Sequence, residues 1–115
     1  MQVNNAAFKK ITHSAVATIA VAVLAVLGTN NAFASAELSK SKNCAACHAV
    51  DKKLIGPAFK DIAAKYAADA GAVANLSAKI RNGGVGVWGN IQMPANPQVT
   101  QAEAETLVKW ILTQK

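Results

Sequence analysis

The 115-residue sequence is short of the features that mark several large protein classes. Of its 12 basic residues only Arg81 is an arginine, and basic and aromatic residues do not interleave, which argues against a nucleic-acid surface. Two cysteines cannot build a disulfide framework, and a single bridge between Cys44 and Cys47 would close a four-residue loop, too short to restrain the unfolded chain much. No uncharged apolar run reaches the roughly 20 residues that span a bilayer; the longest, within 14–28, has about 14. No segment reads as a convincing strand, so the βαβ surroundings of a thioredoxin-type cysteine pair are missing as well.

What is present begins with a leader. Residues 1–13 are polar and carry Lys9 and Lys10, residues 14–28 are uncharged and apolar, and Ala32-Phe33-Ala34 supplies the small-x-small pattern of a cleavage site. The expectation is a cleaved secretory signal peptide over 1–34 and one domain over 35–115. Ala34-Ser35-Ala36 is a second pattern that would move the cut past Ala36, and an uncleaved anchor helix fits less well because the run is short. The remaining domain has about 81 residues, with ten basic against six acidic and a formal charge of +4 before any cofactor. At that size an apolar core alone rarely gives more than a few kcal/mol, so a staple is expected. Export also means that the two thiols must end as a disulfide, a metal site or a thioether.

Periodicity predicts an all-α domain. A short helix is expected over 36–47, ending in Cys44-Ala45-Ala46-Cys47, with Glu37 near its positive end. After a connection closed by Ile55-Gly56-Pro57, in which Pro57 can start a helix, Phe59, Ile62, Ala63 and Tyr66 form one apolar stripe over 58–67. Val73, Leu76 and Ile80 repeat the pattern over 70–82, which stops at Gly83-Gly84. Residues 83–99 hold four of the seven glycines with Pro94 and Pro97 and show no period; a loop of this length in a small domain is usually functional. Disorder there is not expected, since Val85, Val87, Trp88, Ile91 and Met93 would be poor company for water. Thr100 and Glu103 form a capping-box pattern that opens a last helix with Leu107, Val108, Trp110, Ile111 and Leu112 on its apolar face.

The chemistry concentrates in Cys44-Ala45-Ala46-Cys47-His48. Two thiols one helical turn apart, followed at once by an imidazole, read as a covalent haem attachment site: each thiol forms a thioether with one vinyl group, and the histidine turns onto the iron. A redox disulfide, a half zinc site and two core cysteines are the competing readings. With 1–34 removed, the soft or nitrogenous ligands are Cys44, Cys47, His48 and Met93 alone. Structural zinc wants four ligands, mostly cysteine and histidine, and three crowded into one pentapeptide do not suffice. A haem iron needs two axial ligands, and histidine with methionine is a standard pair for electron transfer. Met93, 45 residues after His48 in the long loop, would be the second, although an isolated methionine elsewhere is often a core gap-filler. Such an iron has no position left for substrate or oxygen.

With Ile55-Gly56-Pro57, Val87-Trp88-Gly89, Met93-Pro94-Ala95-Asn96 and Leu107-Val108-Lys109-Trp110 following the pentapeptide in order, the sequence resembles the small class I bacterial cytochromes c of the c-551/c-552 type. The resemblance covers all of 35–115. It implies about four helices and a long methionine-bearing loop wrapped around one covalently bound haem c. It also implies that the Pro57 carbonyl accepts a hydrogen bond from the His48 ring. Trp88 would reach a haem propionate with Lys79 or Arg81 as charge partners, Asn96 would present its amide to the Met93 sulfur, and Trp110 would pack the last helix against the first. The expected activity is that of a periplasmic, monomeric one-electron carrier, not an enzyme. Its partners would be membrane-bound or soluble redox proteins, such as a bc1-type donor and a terminal oxidase, nitrite reductase or peroxidase as acceptor. Docking would use the haem edge beside Lys42, Lys52 and Lys53, with no nucleic acid and no stable membrane insertion after cleavage. A haem enzyme or small-gas binder with an open sixth position is the alternative, and a haem-free redox or metal module a third. The sequence departs from the family pattern beside the methionine, where Gln92 precedes it and Ala95 follows Pro94; fewer prolines leave the loop more freedom when unfolded.

Overall fold

The structure is a computed structural model that describes the backbone of residues 20–115 and the side chains of residues 31–115. The polar start of the expected leader, 1–13 with Lys9 and Lys10, lies outside the described residues. Four helices follow one another: α1 (Ala20–Ser41), α2 (Phe59–Lys65), α3 (Ala72–Asn82) and α4 (Gln101–Ile111). Among the described residues there is no strand, only two isolated antiparallel bridges, His48 with Lys53 and Gly84 with Met93. No described helix is long and apolar enough to cross a membrane.

The first helix corrects the expectation for 36–47. Helix α1 runs unbroken across the expected cleavage positions and ends at Ser41, and Cys44–Ala46 form a separate turn of 3-10 helix. Asn43 causes the break. Its φ of 62° is left-handed, a conformation that asparagine tolerates better than most residues and that no helix can continue through. The amides of Cys47 and His48 then both turn back to the Cys44 carbonyl, at 3.1 and 3.0 Å. The cysteine pair is thus mounted on its own tight turn, re-aimed relative to α1.

The core is the seam between α3 and α4. Ala72, Leu76 and Ile80, four residues apart on α3, meet Ala104, Leu107 and Val108 of α4, and Val99 seals one end at zero exposure. Leu38 brings α1 onto this cluster. At the start of α4 the expected capping box is formed: the Glu103 amide donates to Thr100 Oγ1 at 3.2 Å, and the Thr100 amide donates to Glu103 Oε2 at 2.9 Å. That amide, with the Lys42 ammonium 3.0 Å away, holds the Glu103 carboxyl below its usual range. The same Lys42 contact ties the chain just past α1 to the head of α4. Helix α3 starts two residues later than expected, at Ala72, because the Gly71 amide donates to Asp69 Oδ1 at 2.8 Å and keeps 69–71 in a turn.

One polar group sits badly in this core. Ser77 is wholly buried on α3, and its hydroxyl has no hydrogen-bond partner. An unsatisfied buried hydroxyl costs about 1–3 kcal/mol, and alanine is also the better helix former. Ser77→Ala should therefore raise unfolding free energy by about 1 kcal/mol in denaturant titration; a lower midpoint would mean that the hydroxyl has a partner after all.

Candidate functional site

His48 is seated by its neighbours before any ligand is considered. The Gly56 amide donates to the Cys47 carbonyl at 2.8 Å and closes 48–56 into a compact loop, which brings the Pro57 carbonyl to the imidazole. Nδ1 of His48 and the Pro57 oxygen are 2.7 Å apart, so Nδ1 carries the proton and donates, and Nε2 is left as the acceptor or ligand nitrogen. Phe59 stacks on the imidazole, centroids 5.4 Å apart and planes 17° from parallel. Trp110 meets Phe59 edge-on at 5.4 Å and 72°. Trp110, expected to pack α4 against α1, also joins α4 to α2, and through Phe59 it supports His48. Gly56 completes the seat, since a Cβ there would collide with Cε1 of His48 and lie 2.8 Å from Nδ1.

Met93 is held differently, by backbone. Its amide donates to the Gly84 carbonyl at 2.8 Å and its carbonyl accepts from the Gly84 amide at 3.0 Å, so the methionine is pinned to the residues just past α3. Asn96 fastens the other side of the loop. Its Nδ2 donates to the carbonyls of Ile80 and Pro94, both at 3.1 Å. Both amide protons are thereby engaged, and the expected donation from Asn96 to the Met93 sulfur is not made. Between these anchors the loop turns at Gly86 and Gly89, joined by a 3.0 Å hydrogen bond. The Lys65 ammonium lies 5.5 Å from the centre of the Trp88 ring, a cation–π contact from the end of α2 to the loop.

These two assemblies face one cavity of about 290 Å³. Cys44, Cys47, His48 and Met93 all line it, and Leu76, Ile80, Leu107 and Val108 of the core form its inner wall. Both cysteines are half-buried free thiols, and burial pushes the Cys44 thiol above its usual range against a smaller opposing hydrogen bond from Ser39. The mouth is apolar: Val85, Val87, Ile91 and Ile55 are 46–62% exposed there. Side chains expected to shun water thus form a rim around space that a flat apolar ligand would fill. Two thiols, one imidazole nitrogen and one thioether on an apolar cavity are the donor set that a covalently attached haem requires, so the residues present fit the group.

The supporting residues divide. Pro57, Trp88, Asn96 and Lys79 line the cavity, and the Lys79 side chain lies against Gly84. Arg81 does not line it: its Nε donates to the Val99 carbonyl at 3.1 Å and its Nη1 to Gln101 Oε1 at 3.4 Å, which commits the guanidinium to joining α3 to the start of α4. Lys42, expected at a docking face, is held by Glu103, whereas Lys52 and Lys53 are exposed and Lys53 reaches the cavity. Phe59, Gly56 and Lys65 carry site roles that the sequence reading missed. Phe59 looked like one more core residue on a helical stripe; its distance of two from Pro57 was the available signal.

The sequence profile of the cytochrome c family matches residues 34–115. Cytochrome c-551 of Azotobacter vinelandii is 57% identical over 79 residues, 69% of this chain and 95% of that protein. Cytochrome c-552 of Nitrosomonas europaea is 51% identical over 98 residues, 85% of this chain and 93% of that one. The crystal structure of wild-type Nitrosomonas europaea cytochrome c552 superposes with a TM-score of 0.68 at 54% identity, covering 70% of this chain and 99% of that chain.

The seat of His48 is open to a direct check. Gly56→Ala should cost about 1–3 kcal/mol through overpacking and should displace or abolish the hydrogen-bonded Nδ1 proton resonance of His48. An unmoved resonance would show that the imidazole does not rest on Gly56.

Proposed function

Because the chain belongs to the cytochrome c family, as a small class I electron carrier with covalently bound haem c, we propose that it shuttles single electrons between respiratory redox proteins in the periplasm and is not itself an enzyme. Haem c supplies a reversible one-electron iron couple. Cys44 and Cys47 would hold it through thioethers, and His48 Nε2 and the Met93 sulfur would be the protein ligands of its iron. The observation that carries this reading is the convergence of all four side chains on one cavity.

The chain's own residues account for the behaviour of such a carrier. With His48 and Met93 both on the iron, no coordination site would be left for a substrate. The neutral thioether of Met93 and the apolar wall of Leu76, Ile80 and Leu107 both disfavour the extra charge of the ferric state, which raises the potential. His48 is fixed by Pro57 and Phe59, and Met93 by Gly84, so the ligand positions change little on electron transfer. The Pro57 carbonyl keeps the imidazole in the tautomer that offers Nε2 and fixes the ring's orientation. Lys79 and Trp88 at the cavity wall suit the propionates, and the exposed rim with Lys52 and Lys53 suits brief docking of a redox partner. Residues 1–34 serve as the export signal, which delivers the chain to the compartment where these partners work.

Protein purified from the periplasm should begin at Ser35 or Glu37 and give low-spin c-type bands with the weak far-red sulfur-to-iron band when oxidised. Met93→Ala should lose that band, turn high-spin and fall in potential. A wild-type spectrum that is already high-spin would favour an open-site haem protein, and one without a Soret band would exclude haem altogether.

A further inference from the structure

Gly83 stands where α3 ends and the methionine loop begins, and two independent features forbid a side chain there. Its backbone has φ 72° and ψ −175°, a region that is essentially glycine-only. A Cβ at this position would also lie 2.6 Å from the Met93 carbonyl oxygen, 2.8 Å from the Ala95 amide nitrogen and 2.9 Å from the Pro94 carbonyl carbon. These are backbone atoms of the loop itself, which cannot rotate away as a side-chain tip can. The neighbouring glycines differ. Gly86 and Gly89 also have positive φ, 101° and 110°, but a Cβ on either meets nothing within 4 Å. At Gly84 a Cβ would meet only the far end of Lys79.

From this we infer that Gly83 is a positioning residue for Met93: by letting the loop backbone lie directly against the end of α3, it sets how far the Met93 sulfur reaches toward the iron. The Gly83 amide donates to the Lys79 carbonyl at 2.8 Å, so its own place is fixed by the helix. The next residue makes both hydrogen bonds to Met93, and Asn96 returns to the Ile80 carbonyl from the other side. Any side chain at 83 therefore pushes the strip from Met93 to Ala95 off α3, while the helix itself stays intact. The inference rests on Met93 being the second axial ligand and adds which contact places it.

The comparison of glycine variants isolates the contact from the strain. In the haem-loaded protein, Gly83→Ala should raise the fraction of ferric protein lacking the far-red band roughly tenfold over Gly89→Ala, which also places a side chain at positive φ but meets nothing within 4 Å and lies off the cavity lining. Far-ultraviolet helicity should be equal in the two, and the reduction potential of Gly83→Ala should fall toward that of Met93→Ala. Equal bands in Gly83→Ala and Gly89→Ala would overturn the inference, and so would a Gly83→Ala protein that loses helicity together with its band. A wild-type protein without the band would instead sink the ligation of Met93 itself. Should Gly83→Ala fail to mature, the wild type decides: the Met93 amide, bonded to Gly84, should lose hydrogen-exchange protection at the same denaturant concentration at which the band disappears. Protection that outlasts the band would overturn the inference.

Discussion

The packing of α3 against α4 is the contact on which the rest of the structure depends, because the same side chains serve two purposes. Leu76, Ile80, Leu107 and Val108 are the centre of the core, and they are also the inner wall of the cavity. A cavity bounded by a core cannot change shape without cost, since interiors are close-packed and transmit strain. From that seam each helix extends one arm of the site. The end of α3 carries Gly83, Gly84 and hence Met93, and α4 carries Trp110, which supports Phe59 and hence His48. His48 and Met93 are consequently referred to one frame, although 45 residues of chain separate them. This is how a small domain supplies preorganised ligands: the geometry is stored in hydrophobic burial and read out at the cavity.

A cavity of this kind also explains the composition of the domain. A segment the size of 34–115 with a narrow core has little stability in reserve, and the apolar rim of Val85, Val87 and Ile91 is exposed. Haem c held by Cys44 and Cys47 would answer both needs, giving that rim an apolar partner and linking the cysteine turn to the core. The cavity mouth is bordered by exposed apolar side chains and by Lys53, with Lys52 exposed next to it in the chain. Such a surface suits encounters that are frequent and short, in which tight binding would slow turnover.

The chemistry was legible because its components are scarce. Within 35–115 a single histidine and a single methionine leave little choice of ligands, and Cys44-Ala45-Ala46-Cys47-His48 points to the type of attachment. Helices α2 to α4 were legible from their stripes, and the head of α4 from Thr100 and Glu103, because caps and periodicity are local. What could not be read depends on distant packing. The end of α1 turns on one asparagine in a left-handed conformation. Trp110 has Phe59 as its partner only because α2 crosses α4. Arg81 could have faced the cofactor, yet Val99 and Gln101 take its guanidinium, and Asn96, although on the cavity wall, gives its side-chain amide to Ile80 and Pro94. Polar side chains near a site satisfy the backbone around them first, since a buried carbonyl without a partner is costly.

The central claim is that His48 and Met93 together fill the iron's coordination, which makes the protein a carrier of electrons and closes it to small ligands. Carbon monoxide tests this most directly, because it binds ferrous haem avidly wherever an axial position is open. The visible spectrum of the reduced wild-type protein should be the same before and after equilibration with carbon monoxide at neutral pH. A Soret band that shifts and sharpens under carbon monoxide would contradict the account, since the sixth position would then be open.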